Sequence, residues 1–124
     1  MSKTLVHDFA KAISSQNVAA IYRLMTSDHT FIDALGNEIS SAEVMKTGWA
    51  GYFEMFPDYH IELVDVFENG NMFAAFGFAG GTYKGIKGKS WRLPAAWKVI
   101  VENNKIKLWQ VYADTKMPFE LMHS

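Results

Sequence analysis

Two aspartates stand where a carboxylate can do chemistry. Asp33 follows Phe31 and Ile32 and precedes Ala34 and Leu35, just ahead of the turn pair Gly36-Asn37. A carboxylate on an apolar strand is partly desolvated, which raises its pKa towards the range of a useful general base. The same side chain can instead cap the turn through local backbone hydrogen bonds. Asp114 ends the apolar run Trp109-Gln110-Val111-Tyr112-Ala113. It can pair with Asp33 as acid and base, the two pKa values driven apart, or serve as an ordinary strand-end residue bonded to backbone or solvent. The catalytic candidates are therefore Asp33 and Asp114.

The second chemical signal is aromatic. Trp49, Tyr52, Phe53 and Phe56 recur at helical spacing and form one broad stripe. Such a stripe is either core or the wall of a ligand cavity, and in a hollow fold it is both. Trp91, Trp97, Trp109 and Tyr112 add rings from strand-like segments. Strand alternation sets Trp109, Val111 and Ala113 on one face and Gln110, Tyr112 and Asp114 on the other. Both sets line one cavity only if a bulge intervenes.

Other chemistries lack their residues. The chain has no cysteine, so disulfides, thiol catalysis and zinc-thiolate sites are excluded together. His7, His29, His60 and His123 are scattered, with no ligand spacing among them, and no metal is expected. His29 and His60 are the two that can reach a pocket mouth, against the plainer reading of surface or satisfied histidines. Gly88-Lys89-Ser90 matches only the end of a phosphate loop, with Tyr83 where a glycine is required. No Gly-x-Ser-x-Gly elbow occurs. No cofactor is expected.

Composition agrees with a filled or hollow core. Of 124 residues, 49% are hydrophobic and 15% aromatic, and the formal net charge is −1. Without a basic stripe there is no electrostatic footprint for nucleic acid. No apolar stretch approaches the ~20 residues that a membrane helix needs. The opening residues lack an apolar signal core, so a cytoplasmic location is the default expectation.

These side chains need elements to hold them. Leu5, Phe9, Ala12 and Ile13 predict a first helix over Thr4 to Ser14. Asn17 caps a second, short helix carrying Val18, Ile21, Leu24 and Met25. Ser27-Asp28 breaks the pattern, and Thr30 to Ala34 reads as a strand. Ser41-Ala42-Glu43 opens a third helix that stops at Pro57-Asp58. Strands follow at Tyr59 to Phe67, Met72 to Tyr83, Ser90 to Glu102 and Lys105 to Asp114, with turns at Glu68 to Asn71 and at Asn103-Asn104. Lys84 to Lys89 is a loop. Met117 to Met122 is a short helix or a tail. With no repeat or linker, residues 1–124 read as one domain. Three helices followed by a mostly antiparallel sheet predict an α+β fold, a cone-shaped roll of strongly curved sheet whose concave face the helices cover.

The order of short motifs carries a resemblance. Thr30-Phe31-Ile32-Asp33-Ala34-Leu35-Gly36, Tyr52-Phe53 with Phe56-Pro57-Asp58, Gly81-Thr82-Tyr83-Lys84-Gly85, Leu93-Pro94 and Trp109-Gln110-Val111-Tyr112-Ala113-Asp114 together resemble the SnoaL-like polyketide cyclases and ketosteroid isomerases of the nuclear-transport-factor-2-like superfamily. The resemblance covers nearly the whole chain. It implies a conical pocket and a homodimer formed through the sheet. Asp33 matches the aspartate that acts as general base in the isomerases. Asp114 resembles an acidic residue implicated in acid–base work in the cyclases. The isomerases' oxyanion donors have no counterpart, because their tyrosine position is Phe9 and their late-strand aspartate position is Ala96. Losing one such donor commonly costs ~10²–10³ in rate.

Three readings follow. The first is an isomerase or cyclase in which Asp33 removes a proton beside a carbonyl. The second is a non-catalytic domain that binds a small hydrophobic molecule, and the third a dimerisation module with a filled cone. The expected ligand-contacting residues are Phe9, Phe31, Trp49, Tyr52, Phe53, Phe56, Trp97, Trp109 and Tyr112. The expected partners are a small hydrophobic molecule and a second copy of the chain, with neither nucleic acid nor membrane.

Overall fold

The computed structural model describes residues 2–124. The helices α1 (Ser2–Ser14) and α2 (Val18–Arg23) come first, then β1 (Met25–Ile32) and the short β2 (Glu38–Ser40). Helix α3 (Ala42–Met55) leads into β3 (His60–Asn69) and β4 (Met72–Thr82). A single 3-10 turn at Tyr83–Gly85 precedes β5 (Ser90–Glu102), β6 (Lys105–Ala113) and α4 (Lys116–Met122). The strands form one six-stranded sheet in the order β2-β1-β6-β5-β4-β3. Every pairing is antiparallel except β1 with β6. No helix among the described residues is long and apolar enough to cross a membrane.

Helix α1 forms because Leu5, Val6, Phe9, Ala10, Ala12 and Ile13 make a stripe that the sheet buries. Complete burial of one such side chain is worth ~1.5–3 kcal/mol. At its end Ser14 Oγ accepts from the Ile61 N–H at 2.9 Å, which fixes the start of β3 against the helix. Helix α3 is capped by Ser41, whose hydroxyl accepts from the Val44 N–H at 3.2 Å. It buries Ala42, Met45, Trp49 and Phe53 and packs on α2, β1 and β2.

Curvature comes from bulges and a glycine. The register of β3 on β4 shifts between Leu63 and Asp65. There the Glu62 carbonyl oxygen approaches Gly77 so closely that a Cβ would lie 1.8 Å from it. Only glycine permits that approach, and the bulge bends the sheet around the helices. A second shift, between Ile100 and Val101 on the β5–β6 pair, brings Ile106 and Trp109 both inward.

Three readings are completed or corrected. Of the two alternatives for residues 117–122, helix or tail, the helix holds and starts at Lys116, a fourth helix among the described residues. The first strand runs from Met25 to Ile32, not from Thr30 to Ala34, and Leu24 is the C-cap of α2. Its pairing explains why: the Ile106 N–H donates to the Leu24 carbonyl at 2.7 Å, and Met25 pairs with Ile106 on a strand remote in sequence. Ser27 and Asp28 do not break the element. They face outward, and Asp28 pairs with Lys107 across the strands at 2.9 Å. The third correction is β2, a three-residue edge strand too short and too exposed to leave a periodic signal.

Candidate ligand-binding site

The concave side of the sheet encloses a cavity of about 470 Å³, inside the range of small-molecule sites. Its walls come from α3 (Met45, Gly48, Trp49, Tyr52, Met55), from the sheet (Phe31, Ala79, Trp91, Leu93, Trp109, Val111, Ala113) and from the α3–β3 connection (Phe56, Tyr59). Its mouth lies between the Asp33–Leu35 turn with Ile39 on one side and Thr115 with Pro118, Phe119 and Met122 of α4 on the other. Leu35 and Phe119 are 77% and 61% exposed, so two large apolar residues stand at the rim.

The aromatic walls are braced by one another. Trp49 stacks on Phe53 at 5.5 Å between ring centroids and meets Phe31 edge-on at 5.7 Å. Tyr52 meets Tyr59 edge-on at 4.9 Å and Phe56 at 5.1 Å. Phe56 in turn meets Trp91 edge-on at 5.6 Å. Edge-to-face pairs of this kind add ~0.5–1.5 kcal/mol beyond their buried area. The connection that carries Phe56 and Tyr59 is pinned twice. The Asp58 carboxylate accepts from the Thr82 N–H at 2.6 Å and from its hydroxyl at 2.7 Å. The Gln16 amide donates to the Tyr59 carbonyl from the end of α1.

Asp33 is the single charged residue among the described residues of the lining. Its Oδ1 accepts from the N–H groups of Leu35 and Asn37, both at 2.9 Å, and its Oδ2 accepts from the Asn37 side-chain amide at 3.0 Å. The backbone closes the same turn, with the Gly36 N–H donating to the Asp33 carbonyl at 3.0 Å and Gly36 at φ +89°. Asp114 is exposed outside the cavity, and its Oδ1 accepts from the Lys116 N–H at 3.0 Å as α4 begins.

Of the nine aromatics expected to touch a ligand, Phe31, Trp49, Tyr52, Phe56 and Trp109 line the cavity. Phe9, Phe53 and Trp97 do not. They form the layer behind: Phe9 packs on Trp109 at 4.8 Å, Trp97 on Trp109 at 6.1 Å, and Phe53 on Trp49. Tyr112 is on the outer face and half exposed. With no bulge between Trp109 and Ala113, plain alternation turns Tyr112 and Asp114 away from the cavity that holds Trp109, Val111 and Ala113. Sequence reading missed Tyr59 and the α4 side chains, and counted Trp91 among the strand aromatics able to face the pocket without naming it as a ligand contact. Both aromatics carried a signal, Trp91 at the start of β5 and Tyr59 just ahead of β3.

His29 belongs to the core beneath the site. It is fully buried, and its Nδ1 lies 2.8 Å from the Ile106 carbonyl. A carbonyl only accepts, so Nδ1 carries the proton and the unpartnered Nε2 is a bare lone pair. Burial pushes the imidazole pKa down, against the opposing effects of the Ile106 carbonyl and Asp28. His60 lies at the surface over Gly80, with its Nδ1 3.2 Å from the Asp58 carbonyl. Among the described residues no cluster of histidine and carboxylate side chains can hold a metal ion.

The architecture has many solved counterparts. A protein with a ketosteroid-isomerase-like fold from Catenulispora acidiphila, crystallised in complex with trimethylamine, is 23% identical; the alignment covers 87% of this chain and 83% of that one, with a TM-score of 0.79. A nuclear-transport-factor-2-like protein from Burkholderia thailandensis is 21% identical over 98% and 96% of the two chains, at a TM-score of 0.81. A candidate SnoaL-like polyketide cyclase from Shewanella denitrificans is 12% identical over 98% and 96%, at a TM-score of 0.83. At these identities the likeness establishes the fold. No curated protein matches the sequence. The SnoaL-like domain model matches residues 6–109, from the middle of α1 to the Trp109 that walls the cavity, and this chain therefore belongs to the SnoaL-like domain family.

Proposed function

We propose that this protein binds a small, largely apolar molecule inside the cone, with Asp33 shaping the rim rather than acting as a general base. The observation that carries this reading is the combination of an open aromatic cavity of about 470 Å³ with a lining carboxylate already engaged in three hydrogen bonds of its own turn. A general base must present a free lone pair to the proton that it removes. The turn occupies most of the acceptor capacity of Asp33: two bonds fall on Oδ1 and one on Oδ2, which leaves a single place on Oδ2 for a further donor.

Saturation binding of the neutral dye Nile red, read by its fluorescence, tests the reading. Wild-type protein should bind it saturably. Asp33→Asn should bind within about twofold of wild type, because the asparagine oxygen still accepts from Leu35 and Asn37, a difference well below 1 kcal/mol. The Asn37 amide can turn over to face the new amide. Absence of saturable binding sinks the proposal.

The acid–base reading keeps one supporting observation, the place of Asp33 on the cavity rim. Turnover of a cyclic ketone or lactone that Asp33→Asn abolishes without weakening binding would establish it instead.

A second copy of the chain is the partner that we propose, seated on the convex face of the sheet. Val64, Phe67, Met72, Phe76 and Tyr112 are exposed there, and Phe67 meets Phe76 edge-on at 6.1 Å. A patch of large apolar side chains on one face of a sheet is the composition of an interface.

A further inference from the structure

Tyr52 and Tyr59 bring two hydroxyls to the cavity wall that no described contact accounts for. They come from different elements, α3 and the α3–β3 connection, and their rings meet edge-on at 4.9 Å inside the lining. Tyr59 is only 6% exposed. No hydrogen bond from either hydroxyl is found among the described residues, whereas the Tyr22 hydroxyl donates to Glu43. Two adjacent phenols in one wall, neither bonded to a described residue, leave their hydroxyls free for a partner inside the cavity.

The other donors of the wall are not available to a ligand. The indole N–H groups of Trp49, Trp91 and Trp109 are sealed within the packing without partners, while the two phenol oxygens are not among the sealed atoms. Burial pushes both phenol pKa values up, and for Tyr59 the neighbouring Tyr52 adds to the rise. Both are therefore neutral O–H groups at any physiological pH. They offer two donors to one region of the cavity. No cationic side chain lines the cavity to hold an anion, and an unpaired charge in so apolar a space is strongly disfavoured.

Resting on the cavity-binding reading above, we infer that the Tyr52 and Tyr59 hydroxyls form the polar anchor of the site, and that the ligand is a neutral, apolar ring compound presenting one oxygen acceptor to that pair. This anchor lies elsewhere than Phe9 and Ala96, the two positions at which the resemblance to the isomerases called for donors. The α3 turn that carries Tyr52 sets the depth of the acceptor. The Gln16 and Asp58 contacts that fix the α3–β3 connection set the direction of Tyr59.

Calorimetric titration with α-tetralone and tetralin tests the anchor, since the two share a ring frame and differ by the carbonyl. Wild-type protein should bind the ketone ~10-fold or more tightly than the hydrocarbon, the sum of two neutral hydrogen bonds. Tyr52→Phe and Tyr59→Phe should each weaken α-tetralone by ~2–10-fold and leave tetralin unchanged. Neither substitution removes an internal hydrogen bond, so thermal unfolding of the free protein should stay at the same Tm or move upward. A lower Tm for Tyr59→Phe would reveal an internal partner and overturn the anchor. Equal binding of ketone and hydrocarbon would overturn the anchor and leave the cavity reading standing. Tighter binding of the corresponding carboxylate or of α-aminotetralin would overturn the neutral-acceptor assignment. Failure of ketone and hydrocarbon alike to bind would overturn both readings.

Discussion

A carboxylate at the end of an apolar strand can cap the turn that follows it, and Asp33 does so. Residues 35 and 37 turn their N–H groups back onto it, so its charge is answered locally. His29 shows the opposite case, a titratable group with one answered nitrogen and one bare. Its folded pKa lies below the ordinary value of 6.5, so the native state prefers the neutral ring. The sign follows: stability from this residue is complete above about 6.5, and is lost as pH falls below that value because the unfolded chain takes up the proton first. Urea unfolding between about pH 7.5 and pH 5 should show falling stability, and His29→Gln should flatten that fall. An unchanged slope in the variant would assign the acid sensitivity elsewhere. The sequence offered no way to see the hydrogen bonds that Asp33 accepts or the complete burial of His29. Both depend on contacts, the Asn37 amide for one and the remote Ile106 carbonyl for the other, that local pattern does not encode.

At the scale of elements, the aromatic stripe of α3 was legible from spacing alone, and so was the division of β6 into two faces, though not which of them turns inward. Which rings touch open space was not. Trp49 and Phe53 are four residues apart on one stripe, yet one lines the cavity and the other supports it from behind. That division depends on helix rotation by a fraction of a turn, which a periodic pattern does not resolve. The extent of β1 was illegible for a related reason, since its partner β6 is some eighty residues away. Helix α4 is the element with the most to test. It buries none of its own residues, yet Pro118, Phe119 and Met122 complete the mouth. Deletion of residues 116–124 should therefore leave Tm almost unchanged and weaken Nile red by about tenfold, the loss of ~1.4 kcal/mol of apolar contact. A large fall in Tm would show instead that α4 belongs to the core.

For the whole molecule, the fold class and the order of the main elements were readable because the helices and the longer strands agree with the period that their residues prescribe. The cone has an inner face committed to its cavity and an outer face with apolar residues in the open. Phe67, at 60% exposed, and Phe76 stand together on that outer face. A dimer of standard size would cover ~800 Å² on each copy. Sedimentation of wild-type protein should report a dimer, and Phe76→Glu should shift it to monomer at micromolar concentration with the cavity still able to bind Nile red. A wild-type monomer would remove the convex face from consideration.

The position of β6 in the sheet order governs how the chain can come into being. The last strand in sequence is one of the two central ones, paired on one side with β1 from the first third of the chain and on the other with β5. During synthesis, everything up to the β5–β6 turn can exist only as a split sheet whose two parts, β2-β1 and β5-β4-β3, have nothing between them. Trp109, which closes the floor of the cavity, is also among the last core residues to leave the ribosome. Sequence-distant pairing of this kind slows folding and leaves strand edges open meanwhile. A nascent chain stalled before residue 105 should remain protease-sensitive along its whole length, and resistance should appear in one step once β6 has emerged.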